Sequence, residues 1–525
     1  MKKSIQKYAL PVLLLCLTLV GCLFFARMKS GLFIDEVYSY GLSNSHYAPF
    51  LTDVVGGELR DGVVTRQQLT DYLVVNDGER FDFGSVYYNQ VNDVHPPLYY
   101  WLLNAVCSLT PNVFSFWQGM LLDLVIYLWA AALLYALLLT LFDDRLAAAA
   151  GALVYTLSAA GLSTMLMIRM YVLMTALTVQ LALLAAKLIR GEKKRYYPLF
   201  CLTLFLGLMT QYYFVFYAFF LCAAYVIWRL VRREWKKALV FALWAFAGVG
   251  LLVLAFPACL DHLFAEKLVS GGNAMENLLD TSQYAPRLSL FIHTLIHGMH
   301  AAILAGAGLF LVTLLRIPAL RRAGVRFPTE SLIILVPAVP TLLLVAIISP
   351  VVEVRYVYNI VPILACWVGL LFALGMRNTG EKSSALRAIA AAVVLALALW
   401  QGRAVTPDYL YIPYRELDEK ATEHAQAPCL YLDDNYFAPL TEDIQQLLVF
   451  DEVFVTAEPE SDALRDYLAA FPEAEEAVVY VDVSGYWSSG FDAEEMLSRL
   501  LESTAFTEYE HLYTTGLSQT YLVKK

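Results

Sequence analysis

Charge is scarce in this chain, and the scarcity sets its class. Only 16% of the 525 residues are charged, 59% are hydrophobic and the mean hydropathy is +0.57. That balance excludes a soluble protein of this length and leaves a polytopic membrane protein. The eight cysteines are scattered, mostly inside apolar runs and without paired spacing, which excludes a disulfide framework and a zinc knuckle. Ala-x-Ala cleavage chemistry is missing after the first apolar run, so that run reads as an uncleaved span even though Lys2 and Lys3 precede it as in a signal peptide. No internal repeat is visible, and the notable charges sit at the ends of apolar runs; both argue against a secondary transporter or glycan-lipid flippase.

What the chain does have is a long series of apolar runs of about 18 to 25 residues, each long enough for a bilayer core of roughly 30 Å. They predict about eleven spans near 8–26, 113–141, 146–164, 171–190, 197–210, 212–230, 238–257, 288–315, 331–349, 356–376 and 385–402. The basic clusters fall in alternate connections: Lys2, Lys3 and Lys7; Arg145; Lys187 to Arg195; Arg229 to Lys237; Arg316 to Arg326; Arg377 to Arg387. The positive-inside rule therefore places the N-terminus in the cytoplasm. The apolar stretch 97–109 is too short to span and reads as a re-entrant or juxtamembrane helix. Counting it as a span would put the basic loop after Trp228 outside. An odd number of spans then sends the C-terminus out of the cytoplasm.

After Gly402 the composition changes. Residues 405–525 hold 25 Asp and Glu against 6 Lys and Arg, about −19, while the whole chain carries −10. This predicts a membrane domain at 1–404, with its first extracytoplasmic loop at 27–96, and an acidic extracytoplasmic α/β domain at 405–525. In the tail, short β-rich runs at 429–432, 453–456 and 477–483 alternate with helical stretches near 439–449, 461–470 and 492–502, followed by strands around 511–523. No Gly-rich phosphate loop follows any of these strands, which argues against nucleotide binding there. The fold class is thus a polytopic α-helical membrane protein with outer juxtamembrane helices and a C-terminal soluble α/β domain in the plasma membrane.

Five motifs far apart in sequence fall on the outer face under this orientation: Asp35-Glu36, His95-Pro96-Pro97-Leu98-Tyr99-Tyr100, Arg169-Met170-Tyr171, Gln211-Tyr212-Tyr213 and Arg355-Tyr356. A carboxylate at the membrane surface can serve as general base toward an acceptor hydroxyl; the plain alternative is two solvated interfacial charges. Paired prolines fix φ and start a helix at a defined angle, so His95 can donate to a phosphate or sugar beside a helix N-terminus. Otherwise the run is a Pro-initiated helix with an aromatic belt. Arg169 and Arg355 lie on the face where arginine is uncommon. Their guanidinium forks suit a phosphate leaving group, against a null of snorkelling to lipid headgroups. Tyr212 and its neighbours can line a lipid or sugar groove, although belts account for many such tyrosines. His293, His297 and His300 recur at i, i+4, i+7, which would share one helical face for a metal, but no accompanying His-Glu-x-x-His motif is present.

Taken together, the acidic pair after the first span, the Pro-Pro-Leu-Tyr-Tyr helix start closing the first loop, Arg-x-Tyr and a late Arg-Tyr resemble the large GT-C membrane glycosyltransferases. The similar branch holds the protein O-mannosyltransferases and lipid A aminoarabinose transferases, glycosyltransferase family 39-like, and the resemblance covers about residues 1–400. It implies a GT-C fold and transfer of a sugar from a polyprenyl-phosphate donor to an extracytoplasmic acceptor, usually with inversion. By that resemblance Asp35 is the catalytic base with Glu36 as its neighbour. His95, Arg169 and Arg355 handle the carrier phosphate and sugar, and Tyr99, Tyr171 and Tyr212 line the groove. His95 departs from the lysine that many relatives carry before the proline pair. The donor, the membrane lipid and an acceptor drawn from protein, lipid or envelope glycan are the partners; no nucleic acid is expected, and a divalent metal is optional. An oligosaccharide ligase or polymerase using lipid-linked glycans is the main rival.

Overall fold

The apolar runs become helices because no span interior offers the backbone any partner but itself. The computed structural model describes residues 2–57, 61–191, 193–264, 269–377, 383–433, 438–484 and 490–525; within the basic clusters, residues 192 and 378–382 lie outside this set. Among the described residues nine helices are long and apolar enough to cross a membrane, and a bent pair makes a tenth. The pair is Arg145–Thr156 and Ala159–Leu166, which turn by 61° at a break. Ser158 makes the break, its Oγ accepting from Gly161 N at 3.0 Å as an N-cap and donating to Tyr155 O at 2.7 Å.

Besides that break in the run at 146–164, three of the expected elements differ. The run at 197–210 forms Tyr196–Leu208, a helix of 13 residues and so about 20 Å long, short of a bilayer core. The run read as one span at 288–315 breaks at Met299 into Tyr284–Gly298 and His300–Arg322. The expected helix start at 356 is a 3₁₀ segment, Val354–Ile360, that leads into Val361–Gly375. The short helix expected after Pro97 is present as Leu98–Cys107.

The chain divides into two compact units. The first comprises Met1–Arg27, Val94–Tyr99 and Met120–Asp408 and is helical. Small residues let its helices approach closely: a Cβ on Gly151 would lie 3.1 Å from Gly369 Cα, where Arg145–Thr156 meets Val361–Gly375.

The second unit comprises Met28–Asp93, Tyr100–Gly119 and Tyr409–Lys525. Its centre is a six-stranded sheet of β1 (Gly62–Thr65), β2 (Cys429–Leu432), β3 (Glu452–Thr456), β4 (Glu476–Asp482), β5 (Glu508–Thr514) and β6 (Ser518–Lys524), in the order β1-β3-β2-β4-β6-β5. Strand β2 runs parallel to β3 and β4, whereas β6 pairs antiparallel with both β4 and β5. The C-terminal strands thus match the sequence pattern. Strand β1 does not come from the tail: it belongs to the first loop and pairs antiparallel with β3, Gly62 opposite Val455 and Thr65 opposite Glu452. Alternate residues of the central strands, including Leu430, Leu432, Val479 and Val481, pack on Leu464, Leu497 and Leu500 of the covering helices.

Candidate functional site

Within the first unit, four of the five motifs approach one another through their aromatic rings and backbones. Arg169 occupies the tight link between Ala159–Leu166 and Tyr171–Gly191, its N–H donating to Met167 O at 2.7 Å and its side chain buried. The 3₁₀ segment holds Arg355, also buried, with Nη1 2.9 Å from Glu353 Oε2 and its guanidinium 5.5 Å from the Tyr356 ring. Tyr356 stacks on Tyr213 at 4.8 Å and meets the edge of Tyr171 at 6.3 Å, while Tyr358 reaches Tyr171 from another side at 6.4 Å. This ring chain joins the segments of Arg169, Gln211-Tyr212-Tyr213 and Arg355. The proline pair is tied in by backbone: Leu98 N donates to Met209 O at 3.0 Å. His95, two residues before Pro97, is half-buried. Tyr212 Oη lies 3.0 Å from His262 Nδ1, a contact the sequence did not suggest.

The Arg355 guanidinium, held over the Tyr356 ring, has a definite chemical capacity. Arginine on a ring keeps its fork in plane for a bidentate oxyanion, and a low-dielectric surround strengthens that contact. The long 3₁₀ segment is unusual in itself, since such runs seldom exceed three or four residues.

Asp35 and Glu36 lie in the second unit, in the first turn of Ile34–Asn44, where carboxylates complement the exposed N–H groups. Their environments differ. Glu36 has no exposed surface; its Oε2 accepts from Phe33 N at 2.7 Å and from Lys29 Nζ at 2.9 Å. Lys29, equally buried, also donates to Tyr409 O at 2.6 Å and lies 5.8 Å from the Tyr411 ring. Asp35, at the second helical position, is only half-buried. Lys29 carried no sequence signal beyond being a basic residue just past the first span.

Other residues land away from their expected roles. Tyr99, expected to line a groove, is fully buried and donates to Asp123 Oδ1 at 2.9 Å. Asp123 is itself a buried carboxylate inside the span Phe116–Phe142, so not every notable charge sits at a span end. A lone acid in an apolar run of that length was the available signal. His293 and His297 are exposed on Tyr284–Gly298, but His300 begins the next helix, so the expected three-residue face is interrupted at Met299. Among the described residues no group of three or more His, Cys, Asp or Glu could hold a metal ion.

Comparison with known proteins follows this geometry. The family model for dolichyl-phosphate-mannose-protein mannosyltransferase matches residues 94–259, the stretch holding the His95, Arg169 and Tyr212 motifs. The crystal structure of ArnT from Cupriavidus metallidurans bound to undecaprenyl phosphate superposes with a TM-score of 0.56 at 11% identity, covering 98% of each chain. The chain has the fold of ArnT. The apo structure of the same ArnT aligns with a TM-score of 0.53 at 12% identity over 97% of each chain, so the likeness in fold spans the apolar helices and the C-terminal sheet alike. None of the curated proteins matches by sequence.

Proposed function

We propose that this protein is a GT-C glycosyltransferase that transfers a sugar from a polyprenyl-phosphate carrier to an extracytoplasmic acceptor hydroxyl, with inversion and with Asp35 as general base. The observation that carries the reading is the approach of the Arg169, Tyr212 and Arg355 segments around one chain of stacked rings, on a fold shared with an ArnT that was solved with undecaprenyl phosphate. In this scheme Arg169 and Arg355 bind the carrier phosphate and stabilise the charge that develops as the carrier leaves, while His95 donates a hydrogen bond to the phosphate or sugar. Tyr212 lines the path of the carrier; the buried Tyr171 and Tyr99 hold the segments around it, Tyr171 against Tyr356 and Tyr99 through Asp123. Asp35 takes the acceptor proton as the new glycosidic bond forms. Glu36, sealed against Lys29, holds the first turn in place and so positions Asp35.

Because a phosphate leaves as a stable anion, most of the work is positioning the acceptor and removing its proton. The orientation rests on the alternating basic clusters and takes the short helix Tyr196–Leu208 as a crossing: N-terminus cytoplasmic, with residues 405–525 forming an extracytoplasmic domain of a plasma-membrane protein. The deciding experiment is single-turnover transfer from radiolabelled polyprenyl-phosphate sugars to membrane extracts. Asp35→Asn should abolish transfer, a fall of at least about 100-fold, while donor binding persists. Transfer that survives the substitution would move the base elsewhere, and a lipid-linked oligosaccharide serving as donor in place of a single sugar would favour a ligase.

A further inference from the structure

A second polar cavity, of about 420 Å³, opens in the first unit at the ends of the helices Phe116–Phe142 and Tyr171–Gly191 and against the segment that follows His300–Arg322. Its volume falls in the roughly 300–1,000 Å³ range of small-molecule sites. Arg190 and Arg326 line it from two different elements, and the buried Ser331 adds a hydroxyl. Arg190 Nη2 donates to Leu141 O at 2.6 Å, which fixes the guanidinium at the mouth. Among the described residues neither arginine has a carboxylate partner. The one carboxylate of the lining, Glu330, accepts from Arg232 at 3.1 Å and is thereby compensated from outside. Among the described residues, then, the lining sets two arginines against one carboxylate that is already paired. Thr329 adds a second hydroxyl-bearing side chain, and the other walls, Leu141, Ile189 and Phe327 among them, are apolar.

We propose that this cavity binds a phosphate-bearing anion: the phosphodiester headgroup of an anionic phospholipid, or free phosphate offering the same oxygens. Two guanidinium forks and a hydroxyl match a tetrahedral oxyanion, and an apolar wall beside them matches the glycerol and first methylenes of a lipid. Basic pockets at the ends of spans are where anionic headgroups concentrate. The site is separate from the Arg169 and Arg355 cluster and has no part in the transfer scheme above.

The test uses the full-length protein in neutral detergent and titration calorimetry with three probes: dioctanoyl phosphatidylglycerol, inorganic phosphate and zwitterionic dioctanoyl phosphatidylcholine. Phosphatidylglycerol should bind, and the double substitution R190Q/R326Q should weaken it about tenfold or more, the loss expected from two charge-assisted contacts. Inorganic phosphate binding as tightly with the same sensitivity would identify the free anion as occupant. Binding that the double substitution leaves unchanged, or wild-type protein that prefers neither anion over phosphatidylcholine, overturns the proposal. Arg326→Gln alone, at an exposed position, gives the same reading if the double variant unfolds.

Discussion

Glu36 and Asp35 are adjacent in sequence and chemically alike, yet the fold gives them different work. Glu36 meets a lysine with no exposed surface on either partner. For such a pair, removing one member strands a charge in low dielectric at about 3–5 kcal/mol, whereas replacing both with apolar groups is far less costly. Glu36→Leu and Lys29→Met should therefore each destabilise the second unit by about 3–5 kcal/mol, and the double substitution should cost clearly less than their sum. Denaturant unfolding of the solubilised protein checks this, and additive losses would show that the two side chains are not coupled. For Asp35→Asn the same unfolding measurement is the control: lost transfer without a comparable loss of stability marks a chemical role for Asp35.

At the scale of elements, two short helices, Ala438–Glu442 and Ile444–Leu447, bring Glu442 and Asp443 against the β5–β6 hairpin. Asp443 Oδ2 accepts from Tyr431 Oη at 2.7 Å and from Ser518 Oγ at 2.5 Å, and a Cβ on Gly516 would lie 2.5 Å from Glu442 Oε1. Burial pushes the Glu442 carboxyl from 4.5 up to about 8, with the neighbouring charge of Asp443 adding to it. Burial likewise lifts Asp443 from 3.8 to about 6, opposed by its hydrogen bonds. Both groups hold protons more tightly folded than unfolded. Their contribution to stability is therefore complete below those lower values and is lost as pH rises through about 6 for Asp443 and about 8 for Glu442. Thermal unfolding followed from pH 6 to 9 should decline by up to about 1.4 kcal/mol per pH unit from Glu442, and Glu442→Gln should flatten it. Equal slopes in the two proteins would refute this packing.

The elements legible in sequence are those governed by local pattern. Apolar length marked most spans, and β-rich runs marked β2, β3 and β4 to within a residue and the C-terminal hairpin to within three. The break at Met299 escaped because apolar content continues through it, and the 3₁₀ character of Val354–Ile360 because its residues suit either helix. The site was legible as residue types and not as roles. Aromatic contacts such as Tyr213 on Tyr356 join residues more than a hundred positions apart, and hydropathy cannot distinguish a tyrosine that lines a groove from one, like Tyr99, whose hydroxyl meets a buried acid.

For the whole molecule, the tail is not an appendage that can be removed cleanly. Strand β1 depends on β3, Arg66 donates to the carbonyls of Val449 and Phe450, and Lys29 donates to Tyr409 O. Phe33, whose N–H holds Glu36, stacks its ring near Tyr411. A chain ending at residue 404 should consequently lose the order of residues 28–93, and transfer with it, whatever the tail contributes to acceptor choice. Limited proteolysis reads this directly: cleavage should appear within 28–93 of the shortened protein, and a loop as resistant as in the full chain would count against the dependence.

That dependence has a temporal side. Arg66 and Phe450 are separated by 384 residues, and a ribosome adding roughly 5–20 residues per second needs about 20–80 s to make that interval. Throughout it, strand β1 waits with its pairing edge unfilled, open to association with neighbouring chains. The segment that carries Asp35 thus reaches its final form among the last events of biogenesis, once the C-terminal strands have been synthesised and folded back.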